Sequence, residues 1–386
     1  MAARKAGPLA GVRVLELGGI GPGPFASMML ADMGATVIRI VRGAGWSSRN
    51  PILNRGRVTV EVDLKDPSGV AAVRRLAEHS DVVVEGFRPG VAERLGLGPK
   101  ELHDINPKLV YGRMTGWGQD GPWAQAPGHD INYLSLTGAL HAIGPKGGDP
   151  VPPLNLVADF GGGGMLLAYG IACALVSAAA TGSGQVVDAA MVDGASLLMA
   201  MAYGHYADGS MVDERGSNML DGAAPFYRTY RCADDRHMAV GCVEDQFYRE
   251  FLQILGLDGD ELFADQFDRD AWPQQSERIA GLFASRPRTE WEAVFADTEA
   301  CTTPVLAMRE AAAHPHVSAR RTFAALDGIV QPMPAPRFDA TPPGVPEPPT
   351  ADPSSVAEAL RMFGISQDGR SDPLVDSVLT APRSPR

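Results

Sequence analysis

The chain has 386 residues, 45% of them hydrophobic and 21% charged, the balance of a globular protein long enough for two or three buried cores. A formal net charge of −12 argues against a nucleic-acid-binding or anionic-membrane surface, and still allows local arginines to hold an anionic ligand. Four cysteines (Cys173, Cys232, Cys242, Cys301) lack CxxC or Cys/His spacing, so free thiols in a reducing, cytoplasmic setting are expected and no metal site is. The basic N-terminal stretch leads into no apolar signal core. The most apolar run, about 165–180, is shorter than the ~20 residues a bilayer requires and is interrupted by glycine.

In chain order, 12–17 reads as a first strand, 24–33 as the helix after it and 36–41 as a second strand. Residues 58–62 alternate as a third strand, and Asp66-Pro67 opens a helix to about His79. The β-branched runs at 81–85 and 109–114 supply two more strands of the buried, parallel kind. Strands alternating with helices predict an open α/β sheet, whose ligands bind beyond the carboxyl ends of the strands, near Gly18, Arg42, Asp63 and Glu85. Gly21-Pro22-Gly23-Pro24-Phe25-Ala26 imitates a dinucleotide fingerprint after the first strand. Its two prolines remove N–H groups that a pyrophosphate needs, so a nicotinamide site is not expected. Asp159-Phe160-Gly161 imitates a kinase motif without the rest of the kinase set.

The stretch from Gly128 to Gly164 carries the chemistry. It opens Gly128-His129-Asp130-Ile131-Asn132-Tyr133 and closes Asn155-Leu156-Val157-Ala158-Asp159-Phe160, followed by four glycines. Asp159 is expected to cap a helix running on from Met165, a position that favours its ionised form, and the glycines are expected to leave backbone bare for a ligand. Further on, a strand at 185–187 leads into an apolar helix. A polar stretch then precedes two short strands around 227–242, helices at 245–255, 275–285 and 288–297, and a last short strand at 301–306. The nine prolines between 332 and 353 predict an extended strap, followed by a helix at 354–363 and a disordered tail beyond about Gln367. The domains expected are a large one over 1–200, a linker at 201–224, a small one at 225–320 and a return to the large one over 321–386.

These motifs, together with Pro22-Gly23-Pro24, Arg88-Pro89-Gly90 and Glu93-Arg94-Leu95-Gly96, resemble the family III CoA-transferases and, within that family, its alpha-methylacyl-CoA racemases, from about Leu9 to Phe338. The resemblance implies an α/β fold with a Rossmann-like large domain and a smaller α/β domain, assembled as an interlocked homodimer. The active site would lie between the large domain of one chain and the small domain of the other. It further implies that His129 and Asp159 are the proton-transfer groups, that Glu244 orients the histidine, and that Asn155 stands beside the aspartate. CoA contacts would come from Arg42, from Val62-Asp63-Leu64-Lys65, from Arg94, and from Gly128, Asp130, Ile131, Asn132 and Tyr133 around the histidine. The partner molecule would be an acyl-CoA thioester, with no separate cofactor, nucleic acid or membrane.

Inverting a carbon next to a thioester requires a base on one face and an acid on the other, with an enolate between. A histidine and an aspartate of raised pKa can share those parts. The alternatives are a CoA-transferase in which Asp159 attacks the acyl group, and an acyl-CoA-binding protein without turnover. His129 speaks for the racemase, because transferases of the family generally lack a histidine there.

Overall fold

The computed structural model describes residues 6–43, 50–350 and 352–365. The tail expected to be disordered lies outside them. The chain divides into two compact units: unit 1 is Met1–Thr137, Leu154–Leu198 and Arg320–Arg386, and unit 2 is Gly138–Pro153 and Met199–Ala319.

Unit 1 is built on six strands: β1 (Arg13–Leu17), β2 (Thr36–Val41), β3 (Arg57–Glu61), β4 (Val82–Glu85), β5 (Val110–Thr115) and β6 (Val186–Ala190). All pairs are parallel, in the order β3-β2-β1-β4-β5-β6. Such a sheet is covered on both faces, which is why β2 and β4 are rich in β-branched residues, each with a single charged residue, Arg39 and Glu85. The order reverses between β1 and β4, the point at which such sheets bind their ligands beyond the strand ends. The intervening helices are α1 (Pro22–Asp32), α2 (Pro67–Glu78), α3 (Val91–Arg94), α4 (Pro99–His103) and α5 (Asp130–Ser135). Helix α2 starts where its composition says it must: Pro67 occupies the first turn, and the Asp66 carboxylate accepts the Ser68 N–H at 3.0 Å. The sheet interior also holds a charge cluster that periodicity could not reveal. Glu16 on β1 accepts from Arg57 on β3 at 2.5 Å and lies 3.7 Å from Arg39 on β2, all three fully buried.

After the short α6 (Ala139–Ala142), which belongs to unit 2, the chain returns in a π-helix, Leu156–Met165, that runs straight into α7 (Leu166–Thr181). Two expectations change here. Asp159 sits inside the first turn of the π-helix, not at a cap, and the glycines are helical and packed, not bare. A Cβ on Gly162 would stand 2.5 Å from the Ala195 nitrogen, one on Gly164 2.7 Å from Phe25, and one on Gly194 1.8 Å from the Gly162 carbonyl oxygen. Glycine therefore lets the π-helix lie directly on α1 and on α8 (Met191–Leu198), and this contact overrides its poor helix propensity. Gly194→Ala should destabilise the protein by about 3 kcal/mol, the upper end for overpacking, because backbone and not a side chain must yield. Denaturant unfolding measures it, and wild-type stability would refute the contact.

The continuous helical span Leu156–Thr181 has 26 residues and is long and apolar enough to cross a membrane, contrary to the shorter run expected from sequence. Here it covers the sheet: Leu167 and Ile171 press on Gly112 of β5, where a Cβ would approach them to 3.0 and 3.2 Å. Leu156, Met165, Tyr169 and Val176 on the same span are exposed.

Unit 2 contains α9 (Ala200–Ala207), α10 (Asp245–Leu255), α11 (Trp272–Phe283), α12 (Arg288–Val294), α13 (Met308–Ala311) and α14 (Pro315–Ala319). They accompany an antiparallel sheet of β7 (Tyr227–Arg231), β8 (His237–Gly241) and β9 (Thr302–Pro304). Its core is aromatic, with Phe226, Tyr230, Phe251, Phe283, Trp291 and Phe295 buried together. The stretch expected as a linker, 201–224, is folded into this unit. Buried Asn218 accepts the Val212 N–H and donates to the Val212 and Glu214 carbonyls, so polar composition here marks an organised loop. Arg215 donates to the carbonyls of His141 and Gly148 at 2.8 Å each, tying 138–153 to the same unit.

The chain then re-enters unit 1 through the hairpin β10 (Phe323–Leu326) and β11 (Ile329–Pro332). Arg55, paired with Asp32 at 2.6 Å, also donates to Gln331 and to the Pro332 carbonyl. The proline-rich stretch that follows is held by the Gly56 N–H donating to the Glu347 carbonyl and the Ser354 N–H to that of Thr59. Helix α15 (Val356–Met362) then places Val356, Ala359 and Leu360 in the core beneath β1–β3.

Candidate active site

Beyond β5, Gly116 leaves room for the Tyr133 ring, which a Cβ there would meet at 2.0 Å. The ring packs edge-on against Trp117 at 4.8 Å, and its hydroxyl donates to the Gly128 carbonyl. Tyr133 is thus buried and spent on holding the turn that ends at His129. His129 caps α5 with extended backbone and an exposed side chain, and its N–H donates to Asn132 Oδ1 at 3.1 Å.

Asp130 joins this turn to the π-helix. Its side chain is buried, and Oδ2 accepts the N–H groups of Ala158 at 2.9 Å and Asp159 at 2.7 Å. The two candidate catalytic segments, thirty residues apart in sequence, are thereby held side by side. Phe160 stacks on Phe25 of α1 at 4.6 Å, and the Asp159 carboxylate faces Gly21 at the start of that helix, 3.3 Å from where a Cβ would be. Gly21 has a positive φ of 66°, so glycine is required twice over. Asn155 Nδ2 donates to Asp159 Oδ2 at 3.3 Å.

Burial raises the Asp159 pKa above the ordinary carboxylate range, against the lowering by Asn155. The negative charge of Asp130 adds to the rise and His129 opposes it. This reverses the expectation that a helix terminus would favour the ionised form. Burial also raises the Tyr133 phenol, with Asp159 adding to the rise and Arg88 opposing it, which places Arg88 near the same pocket.

The expected CoA contacts lie past the carboxyl ends of neighbouring strands. Arg42 follows β2, Asp63 and Lys65 follow β3, and Arg94 ends α3 beyond β4; all four are exposed. Val62 is buried and Leu64 partly so, packed in the core, and the Val62 N–H donates to the Val41 carbonyl at 2.9 Å. Asp63 Oδ1 accepts the Lys65 N–H at 3.0 Å and fixes the turn. Ile131 and Asn132 are exposed on α5, and Asn155 is exposed beside Asp159. Glu244 lies in unit 2, exposed, at the N-terminal cap of α10.

Sequence reasoning passed over two features. It set Gly21 aside with the imitation fingerprint, although a glycine at the start of the helix after a first strand is a signal of close approach. It also read Asp130 only through its neighbours, and nothing in the sequence announces that its carboxylate bridges to 158–159.

A doubly wound parallel sheet with a histidine and a raised-pKa aspartate joined beyond its carboxyl ends has the arrangement that acid–base chemistry requires, with exposed basic residues nearby. The comparisons narrow the class: the chain belongs to CoA-transferase family III, whose model matches residues 9–354. It is 44% identical to the alpha-methylacyl-CoA racemases of Mus musculus and Homo sapiens over 377 residues, 96% of this chain and 98% of each relative. Its fold is similar to that of a CaiB/BaiF family protein from Brucella suis, with a TM-score of 0.79 at 25% identity over 93% of this chain and 99% of that one.

Proposed function

We propose that this chain is a racemase of 2-methylacyl-CoA thioesters that works by two-base 1,1-proton transfer between His129 and Asp159. The observation that carries the reading is the Asp130 bridge, which ties the turn that follows His129 to the backbone at Asp159. The identity to named racemases over nearly the whole chain supports it. The base takes the α-proton, the C–H electron pair passes to the thioester oxygen as an enolate, and the opposite acid returns a proton to the other face. The roles exchange for the other enantiomer. A raised pKa lets Asp159 carry a proton when its turn as acid comes. The N–H of Asp130 begins α5 without an intrahelical partner, and we assign it to the enolate oxygen. In the homodimer the partner subunit's Glu244 orients His129, and Asn155 keeps the Asp159 carboxylate turned.

The CoA portion lies along the strand ends, on Arg42, Lys65, Arg94 and the backbone of 62–65. The thioester itself acidifies the α-hydrogen, so the reaction calls for no metal or redox cofactor. The active form is an interlocked homodimer. A second copy would cover the exposed Leu156, Met165, Tyr169 and Val176, together with Leu197 and Leu198. Nucleic acid and membrane are not among its partners, and free thiols at all four cysteines suit the cytoplasm.

The test uses (R)- or (S)-2-methylacyl-CoA in heavy water, read by mass spectrometry and chiral analysis. Deuterium at the α-carbon with loss of optical purity is expected. CoA passed to an added carboxylate without exchange would make Asp159 the nucleophile of a transferase instead.

Asp130→Asn tests the electrostatics. Asparagine keeps an oxygen for the two N–H groups but removes the negative charge that raises Asp159, so the Asp159 titration should move to lower pH. In the direction where Asp159 is the base, the acidic fall in kcat/KM moves down. In the direction where it is the acid, the alkaline fall moves down as well. An unshifted profile in both directions would remove Asp130 from the tuning of Asp159.

A further inference from the structure

At the reversal point of the sheet, three charged side chains outside the site just described form one assembly. Glu85, the last residue of β4, is almost wholly buried. Its Oε2 accepts the Phe87 N–H at 2.7 Å and its Oε1 accepts from Arg113 Nε of β5 at 3.2 Å. Arg113 lies over the Tyr111 ring at 5.6 Å, and its Nη2 pairs with Glu93 on α3. Tyr111 in turn donates to the Leu97 carbonyl, and Gln125 to that of Pro89. The segment 86–94 is thus fastened to β5, chiefly through a single guanidinium. It carries Arg88, whose charge reaches the Tyr133 hydroxyl, and the exposed Arg94.

We propose that Arg113, gripped by Glu85 and Glu93, is a positioning residue for the CoA portion of the substrate, fixing segment 86–94 so that Arg88 and Arg94 meet its phosphates. This rests on the racemase reading and extends it to groups that touch neither the acyl chain nor the α-carbon. A planar guanidinium can serve two carboxylates at once, whereas a lysine cannot hold both in fixed directions. Two acids on one arginine also give the clamp a pH response. Burial pushes Glu85 up to about 7 against the pull of Arg113, with Glu93 on α3 adding to the rise. Below that pH the grip on Arg113 weakens; Tyr111 on β5 and Asp188, its register partner on β6, also face the guanidinium.

The experiment compares two thioesters of the same 2-methylacyl group, one of CoA and one of N-acetylcysteamine, which lacks the phosphates. In Arg113→Met and Glu93→Gln, KM for the CoA ester should rise, by about 10-fold in the first, the worth of a charge-assisted contact, and less in the second. The kcat, and kcat/KM for the truncated ester, should stay at the wild-type level. Removing Arg113 strands Glu85, so Glu93→Gln, whose carboxylate is partly exposed, serves if Arg113→Met does not fold. Glu85→Gln should flatten the wild-type rise of the CoA-ester KM below about pH 7. Equal losses on both esters, or an unchanged CoA-ester KM in every folded variant, would overturn the proposal. Wild-type protein that racemises neither ester would instead overturn the racemase reading itself.

Discussion

Asp159→Asn should reduce racemisation about 10³- to 10⁴-fold while leaving affinity for the CoA ester in place, since asparagine fills the same space and cannot transfer the proton. Loss of inversion need not mean loss of all proton chemistry. His129 remains beside the α-carbon and can still take and return the proton of whichever enantiomer presents it. In heavy water the variant should therefore deuterate one enantiomer with retention of configuration and leave the other untouched. Asp159 makes its contact with Asn155 through a carboxylate oxygen and its contact with Asp130 through its own N–H, and asparagine preserves the second. Full racemisation in this variant would sink the two-base assignment, and exchange of both enantiomers would point to one mobile base.

His129→Gln should show the mirror result: racemisation falls by a similar factor of about 10³ or more, and deuterium enters only the enantiomer that Asp159 can reach. The pair of variants is more informative than either alone, because opposite enantiomers must respond. If both exchange the same enantiomer, the groups share one face and the mechanism fails. A transferase separates cleanly here as well. Its nucleophile is the aspartate, so Asp159→Asn would abolish CoA transfer and His129→Gln would leave it standing.

Most of the strand sequence was legible, because a parallel strand covered on both faces is dominated by β-branched apolar residues, as Thr36–Val41 and Val82–Glu85 are apart from Arg39 and Glu85. What escaped depended on contacts between segments distant in sequence. Four glycines in a row signal a break by propensity alone, and the close packing of Gly162 on Gly194 and of Gly164 on Phe25 explains why they are helical. The polar run 201–224 read as a linker because nothing local distinguishes a solvated asparagine from the buried Asn218. Within the site, motif and spacing singled out His129 and Asp159, yet side-chain orientation was out of reach. Tyr133 turns inward to Gly128, and Val62 lies in the core. The Glu85–Arg113 pair spans 28 positions on adjacent strands, a relation that exists only once the sheet is assembled.

The order in which unit 1 is assembled from three stretches of sequence has a consequence for synthesis. On a ribosome, β1 to β6 emerge well before α15, whose Val356, Ala359 and Leu360 complete the hydrophobic layer under β1–β3. Unit 2 is contributed mainly by the intervening 199–319 and can consolidate in that interval, while the earlier-made sheet waits with that layer unfilled and the flank of β3 unpaired until Ser354 arrives. The half-built sheet is then the species most open to capture by chaperones. A lesion in 354–363 would act on the first strands translated, hundreds of residues upstream, by withholding their last layer.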